Sequence, residues 1–127
     1  MTDRVSIDRV IRELHAARVR GDLAGMCKLF ADSGNFRIAG SSEGKPIAIT
    51  ADGIRYFRTW LGMMAKAFRV SDYTLLSMVV DGDHASAHWR ARIHSKITGV
   101  SVETELVDLV ELKDGLIVSY TEFFVPL

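Results

Sequence analysis

The chain is poor in the residues that commit a protein to special chemistry. A single cysteine, Cys27, excludes an intramolecular disulfide framework and fits a reducing compartment. Its neighbours Met26, Leu29 and Phe30 mark it as a buried structural thiol rather than a reactive one. Excess charge of one sign is also missing. Lys plus Arg and Asp plus Glu both number 16, so no bulk field favours nucleic acid or an anionic membrane, and a small molecule or another protein is the expected partner. No apolar run approaches the ~20 residues of a membrane span, and "MTDRVSIDRV" at the start has no apolar core of signal-peptide length. A soluble, cytoplasmic protein is expected. There is no internal repeat, no low-complexity segment, no metal-ligand spacing, no nucleophile elbow, no glycine-rich phosphate loop and no basic stripe with interleaved aromatics. Neither a metal nor another cofactor is implied.

What remains is a chain of 127 residues, read as one domain over 1–127, long enough to bury roughly two thirds of its unfolded surface. Ile7, Val10, Ile11, Leu14 and Ala17 or Arg18 recur at helical spacing, leaving Arg9, Arg12, Glu13 and Arg20 on the other side of a first helix. Gly21 suits its left-handed end, and Asp22 caps a second helix through Leu23, Met26, Cys27, Leu29 and Phe30. The same capping explains the Gly and Asp of the adhesion-like "RGD". "GNFRIAG" (34–40) predicts a short strand, and "SSEGKPIAIT" (41–50), broken by Gly44 and Pro46, predicts a loop. A third helix is expected from about Asp52 to Phe68. Ile54, Phe57, Leu61, Met64 and Phe68 form one face, widened by Tyr56, Trp60 and Met63 until contact on two sides is implied. Strands follow at about 70–80, 84–97, 101–112 and 116–125, with "DGD", "TG" and "KDG" between them. The expectation is an α+β fold: three N-terminal helices packed on one face of a strongly curved, mainly antiparallel sheet.

One residue in that sheet breaks the pattern. Along "ETELVDLVEL" (103–112), Glu103, Glu105, Val107, Leu109 and Glu111 share one face, while Thr104, Leu106, Asp108, Val110 and Leu112 share the other. A carboxylate in the second, apolar row costs several kcal/mol unless it is paired, hydrogen-bonded or protonated. A two-residue turn at Thr98-Gly99 sets Trp89 opposite Asp108, Ala91 opposite Leu106, His94 opposite Glu103 and Arg92 opposite Glu105. Ala85, Ala87, Trp89, Ala91 and Ile93 then face inward with Asp108. A slip of one residue would instead turn His88, Arg90, Arg92 and His94 inward toward an anionic ligand. The "KDG" turn leaves two choices. A three-residue loop turns Leu116, Val118, Tyr120, Glu122 and Phe124 inward, with Tyr120 opposite Asp108 and Glu122 opposite Leu106; a two-residue loop turns them out and brings Thr121 and Phe123 in. Both faces of this last strand are rather apolar, so a second copy of the chain is the simplest cover for the outer side, as a homodimer.

The order of elements and two segments resemble the nuclear transport factor 2-like superfamily, which includes ketosteroid isomerase and the SnoaL-like polyketide cyclases. "RGDLAGMCKLFAD" (20–32) is like the family's helix corner, and "VDLVELKDGLIVSYTEFF" (107–124) like its closing hairpin. The resemblance spans nearly the whole chain and implies a cone with a deep, mostly apolar pocket. Residue by residue, the isomerase pattern is largely replaced. Leu14 matches the helix tyrosine and Ile38 the general-base aspartate, while Asp108 matches the acid that donates to the developing oxyanion, a role for which that isomerase is a standard example.

The expected site is therefore Asp108 as acid or base, with Tyr120 or Glu122 as its partner, at the floor of a pocket lined by Leu14, Ile38, Tyr56, Trp60, Met64, Trp89, Leu106 and Phe124. A small hydrophobic carbonyl compound is the expected ligand, undergoing cofactor-free isomerisation, cyclisation or hydration. The rival expectation is a non-catalytic module that binds a small molecule or a protein, with Asp108 merely tying the sheet together. His15, beside Leu14, reads as a surface residue, and His84 as solvated beside its turn.

Overall fold

The computed structural model describes residues 4–42 and 44–127. The first three residues of the stretch read for a leader, and Glu43 within the stretch read as a loop, lie outside the described residues. The elements run α1 (Arg4–Arg20), α2 (Leu23–Cys27), β1 (Phe30–Ser42), β2 (Lys45–Asp52), α3 (Ile54–Ala67), β3 (Phe68–Asp81), β4 (His84–Ser95), β5 (Ser101–Lys113) and β6 (Leu116–Pro126). One six-stranded sheet in the order β2-β1-β6-β5-β4-β3 is antiparallel throughout except for the parallel β1–β6 pair.

Helix α1 forms as its pattern predicts, with Ile7, Val10, Ile11, Leu14 and Ala17 all buried. It stops at Gly21 (φ 70°), where the amides of Gly21 and Asp22 return to the carbonyls of Arg18 and Ala17. Asp22 then caps α2 by accepting from the Gly25 amide at 2.9 Å. The expected run of three N-terminal helices is interrupted. The segment read as a loop is strand β2, paired with β1 from Asn35↔Asp52 to Ser42↔Lys45, so a hairpin separates α2 from α3. Pro46 is tolerated because β2 is an edge strand, where a missing amide donor breaks no ladder.

The β4–β5 register is displaced by two residues, which keeps every side chain on its face, and so is the β5–β6 register beyond a bulge near its turn. The β4–β5 connection is longer than a Thr98-Gly99 turn, because His94 pairs with Ser101 and the Ser95 amide reaches the Val100 carbonyl. Asp108 therefore lies opposite Ala87, and Trp89 opposite Leu106. At the β5–β6 turn neither choice holds alone. Asp114 (φ 53°) and Gly115 (φ 81°) make a two-residue loop, Lys113 pairs with Leu116, and Ile117 rather than Leu116 or Val118 is buried. A bulge then absorbs Val118, as Leu112 pairs with Ile117 but Glu111 with Ser119, and the remainder of β6 carries Tyr120 and Glu122 inward. Asp108 pairs with Glu122.

Strand β3 holds two further bulges, between Ser71 and Thr74 and between Leu75 and Ser77. Such irregularities bend and twist a sheet, here around one core of Ile7, Ile11, Phe36, Phe57, Leu112 and Ile117 and a smaller cluster of Trp89, Ala91 and Leu106. Where β1 passes β6, Gly40 is required: a Cβ there would meet the Phe124 carbonyl oxygen at 2.6 Å.

Candidate functional site

Seven side chains from five elements meet under the sheet. Strand β5 supplies Asp108, β6 supplies Tyr120 and Glu122, β4 supplies Trp89, α1 supplies His15 and Arg18, and β3 supplies Tyr73. Asp108 is 0% exposed, so no water-sized sphere touches it. Its Oδ2 accepts from Trp89 Nε1 at 2.9 Å and from the Tyr120 hydroxyl, and lies 2.7 Å from His15 Nε2. Its Oδ1 is buried without a partner. The other ring nitrogen of His15, Nδ1, lies 2.6 Å from the Tyr73 hydroxyl. Beside this chain, Arg18 Nη1 donates to Glu122 Oε1, and the guanidinium stacks 5.1 Å from the centre of the Trp89 ring.

The electrostatics follow from enclosure. Burial pushes the Glu122 carboxyl above the usual glutamate value; Arg18 pulls it back, and Asp108 adds to the rise. For Arg18 burial works against the charge, but Glu122 and then Tyr120 outweigh it, and the guanidinium is held protonated. Tyr120 is driven well above the ordinary phenol value, first by burial and then by Asp108 and Glu122. Tyr73, half-buried at the sheet edge, is raised by burial. The arrangement can take or give a proton at one carboxylate oxygen while the other is held by Trp89, Tyr120 and His15.

The sequence-predicted trio of Asp108, Tyr120 and Glu122 does converge. Leu14 and Ile38 lie in the main core, and Trp89 and Leu106 form the smaller cluster with Phe124 packed against it. Trp60 and Met64 pack, partly buried, against the main core. Tyr56 is 67% exposed and lines, with Thr50, Asp52, Arg55 and Trp60, a separate depression of about 540 Å³. The interior expected to be a pocket is filled by side chains around Asp108 in this conformation. His84 is solvent-exposed as expected, and His88 pairs with Glu105 on the outer face.

Three members of the network escaped the sequence reading. His15, expected at the surface, is 1% exposed. Its position four residues after Ile11 and eight after Ile7 puts it on the buried stripe, and that spacing was the available signal. Arg18 stood on the same stripe as an alternative to Ala17. Tyr73 carried no signal, because its inward aim comes from the bulge between Ser71 and Thr74, where Asp72 takes φ 52°.

Among the described residues, no helix is long and apolar enough to cross a membrane, and no three His, Cys, Asp or Glu side chains are grouped to hold a metal ion. The family model of the SnoaL-like domain matches residues 11–120. No curated protein sequence matches the chain. Among solved structures, a presumed isomerase from Bacillus subtilis is 20% identical, covering 98% of this chain and 90% of its own, with a TM-score of 0.84. An LEH-like epoxide hydrolase from M. tuberculosis is 15% identical over 95% of this chain and 84% of its own, with a TM-score of 0.73. A presumed SnoaL-like polyketide cyclase from Mesorhizobium loti is 22% identical over 91% and 97%, with a TM-score of 0.66. At such identities the likeness shows the fold alone.

Proposed function

The chain belongs to the SnoaL-like domain family, and from that premise we propose that it is a cofactor-free acid–base enzyme, an isomerase, cyclase or hydratase acting on a small, largely apolar carbonyl compound. Asp108 is the acid or base. One observation carries the reading: in a buried interior Oδ2 meets three polar side chains, two of them donors, while Oδ1 has no partner. Leaving a buried carboxylate oxygen unpaired costs stability, and a place in the chemistry is one reason a protein retains such a group. Tyr120 donates to Asp108, and Glu122, held by Arg18, is the second carboxyl, in different surroundings and suited to the complementary role.

The substrate enters by parting the end of the interior where Tyr73, Arg18 and Phe124 are only partly buried, so that Trp89, Leu106, Leu14 and Phe124 become its wall; Ile38, Trp60 and Met64 flank the deeper side, and Tyr56 stays at the rim. The outer sheet face, with Val79, Leu109, Phe123 and Val125 exposed, is the surface for a second copy of the chain. A cytoplasmic protein without metal or nucleotide completes the proposal.

Solvent-deuterium incorporation next to the carbonyl of small cyclic ketones and enones is the test. The wild type accelerates it, and Asp108→Asn abolishes the acceleration. The second reading, a non-catalytic binding or interaction module, is favoured by the lack of any exposed side-chain surface on Asp108 and His15. It predicts no acceleration by the wild type and unchanged ligand affinity in Asp108→Asn.

A further inference from the structure

Tyr73 and His15 form the only link in the network between Asp108 and the edge of the sheet that runs through hydrogen bonds alone, among the described residues. That link is built at some cost. Strand β3 inserts an extra residue between Ser71 and Thr74, and Asp72 adopts φ 52°, a conformation that L-residues other than Asn and Asp seldom take. A regular strand would set residue 73 by simple alternation; the bulge instead aims its hydroxyl at His15 Nδ1. The ring of His15 is further held against Trp89, with centroids 4.8 Å apart, and edge-on to Tyr73 at 5.3 Å.

We propose that Tyr73 is a positioning residue: its hydroxyl donates to His15 Nδ1, fixing the imidazole as the Nε2–H tautomer aimed at Asp108 Oδ2 and leaving Oδ1 as the carboxylate oxygen that meets a ligand. A histidine with an acceptor on one side and a donor on the other has one tautomer that satisfies both. Tyr73 supplies the donor. The same ordering of a reactive group by a second side chain governs metal-bound histidines, where loss of the outer partner weakens the site without touching the ligand. The consequence for Oδ1 rests on the acid–base reading of Asp108; the tautomer itself does not.

The test is the 15N spectrum of imidazole-labelled protein. The wild type gives a protonated Nε2 and an unprotonated Nδ1 that accepts a hydrogen bond. Tyr73→Phe, which keeps the ring, moves the Nδ1 signal to that of a nitrogen without a donor. It also speeds solvent exchange of the Nε2 proton roughly tenfold, the effect of losing one hydrogen bond. Asp72→Gly, compatible with the left-handed bulge, preserves the wild-type spectrum, whereas Asp72→Val, which is not, reproduces that of Tyr73→Phe. A protonated Nδ1 in the wild type, or a Tyr73→Phe spectrum superimposable on the wild type, would overturn the proposal. Should the tautomer be as stated while Asp108→Asn retains full deuterium incorporation, the acid–base reading fails and the positioning role stands.

Discussion

The two faces of the sheet meet the same kinds of ionisable group, with opposite physical weight. Outside, Arg92 meets Glu103 at 3.1 Å, with side chains 50% and 42% exposed. His88 meets Glu105 at 2.5 Å and His84 meets Glu111 at 3.4 Å, also in partial contact with solvent. Water solvates each partner there whether or not the pair forms, so such pairs contribute little. Inside, Asp108 and His15 have no exposed side-chain surface, and Arg18 and Glu122 have little. No water replaces a lost partner there, so each removal exposes the full desolvation cost of what remains. The lesson is that a two-residue alternation, which decides the face, decides the energy too.

Several substitutions sharpen this contrast. Arg18→Ala leaves Glu122 buried and unpaired and should cost about 3–5 kcal/mol in urea unfolding. If the inner pair is instead replaced as a unit, by Arg18→Met with Glu122→Leu, stability should be unchanged or higher while deuterium incorporation is lost. A large loss of stability in that double variant would break the contrast, since it would mean that the pair itself holds the fold. Asp108→Asn keeps shape and one acceptor but puts an amide where Trp89, Tyr120 and His15 converge; a cost of about 1–3 kcal/mol is expected in the same assay.

Glu122 adds a pH dependence of known sign. Its folded value is raised above the ordinary 4.5 by burial, so the folded state holds this proton more firmly than the unfolded chain. The stability it contributes is complete below about 4.5 and declines as pH rises through the folded value. Glu122→Gln should flatten that decline in a series of urea midpoints; an unaltered slope would place its origin elsewhere. The smallest effect belongs to the outer face. Arg92→Ala should change stability by less than about 1 kcal/mol, an effect that shrinks further in high salt.

The alternation that drives this comparison was legible in the sequence. Thr104, Leu106, Asp108, Val110 and Leu112 are all buried, as the period of two in 103–112 requires, and away from the β5–β6 turn the registers slipped only by an even number. The SnoaL-like family was legible from the helix corner and the closing hairpin, and the matched region of 11–120 includes all of the first and most of the second. What was not legible depends on irregularities that a period cannot encode. The bulge at Val118 combines the two-residue turn with the facing expected of the three-residue one. The bulge at Asp72 hides Tyr73, and Pro46 reads as a breaker until the edge position of its strand is known. His15 is a different failure: its spacing was correct for the core, but its polarity argued for the surface because its partners lie 58 and 93 residues away.

The most direct test of the central claim, that the buried acid is retained for chemistry rather than for the fold, measures stability and solvent-deuterium incorporation side by side on wild type and Asp108→Asn. The account predicts a variant that stays folded at the assay temperature and exchanges label no faster than buffer, while the wild type exchanges well above it. Equal incorporation by the two proteins, or none by the wild type, would contradict it and leave Asp108 as a structural tie between β5, β4, β6 and α1.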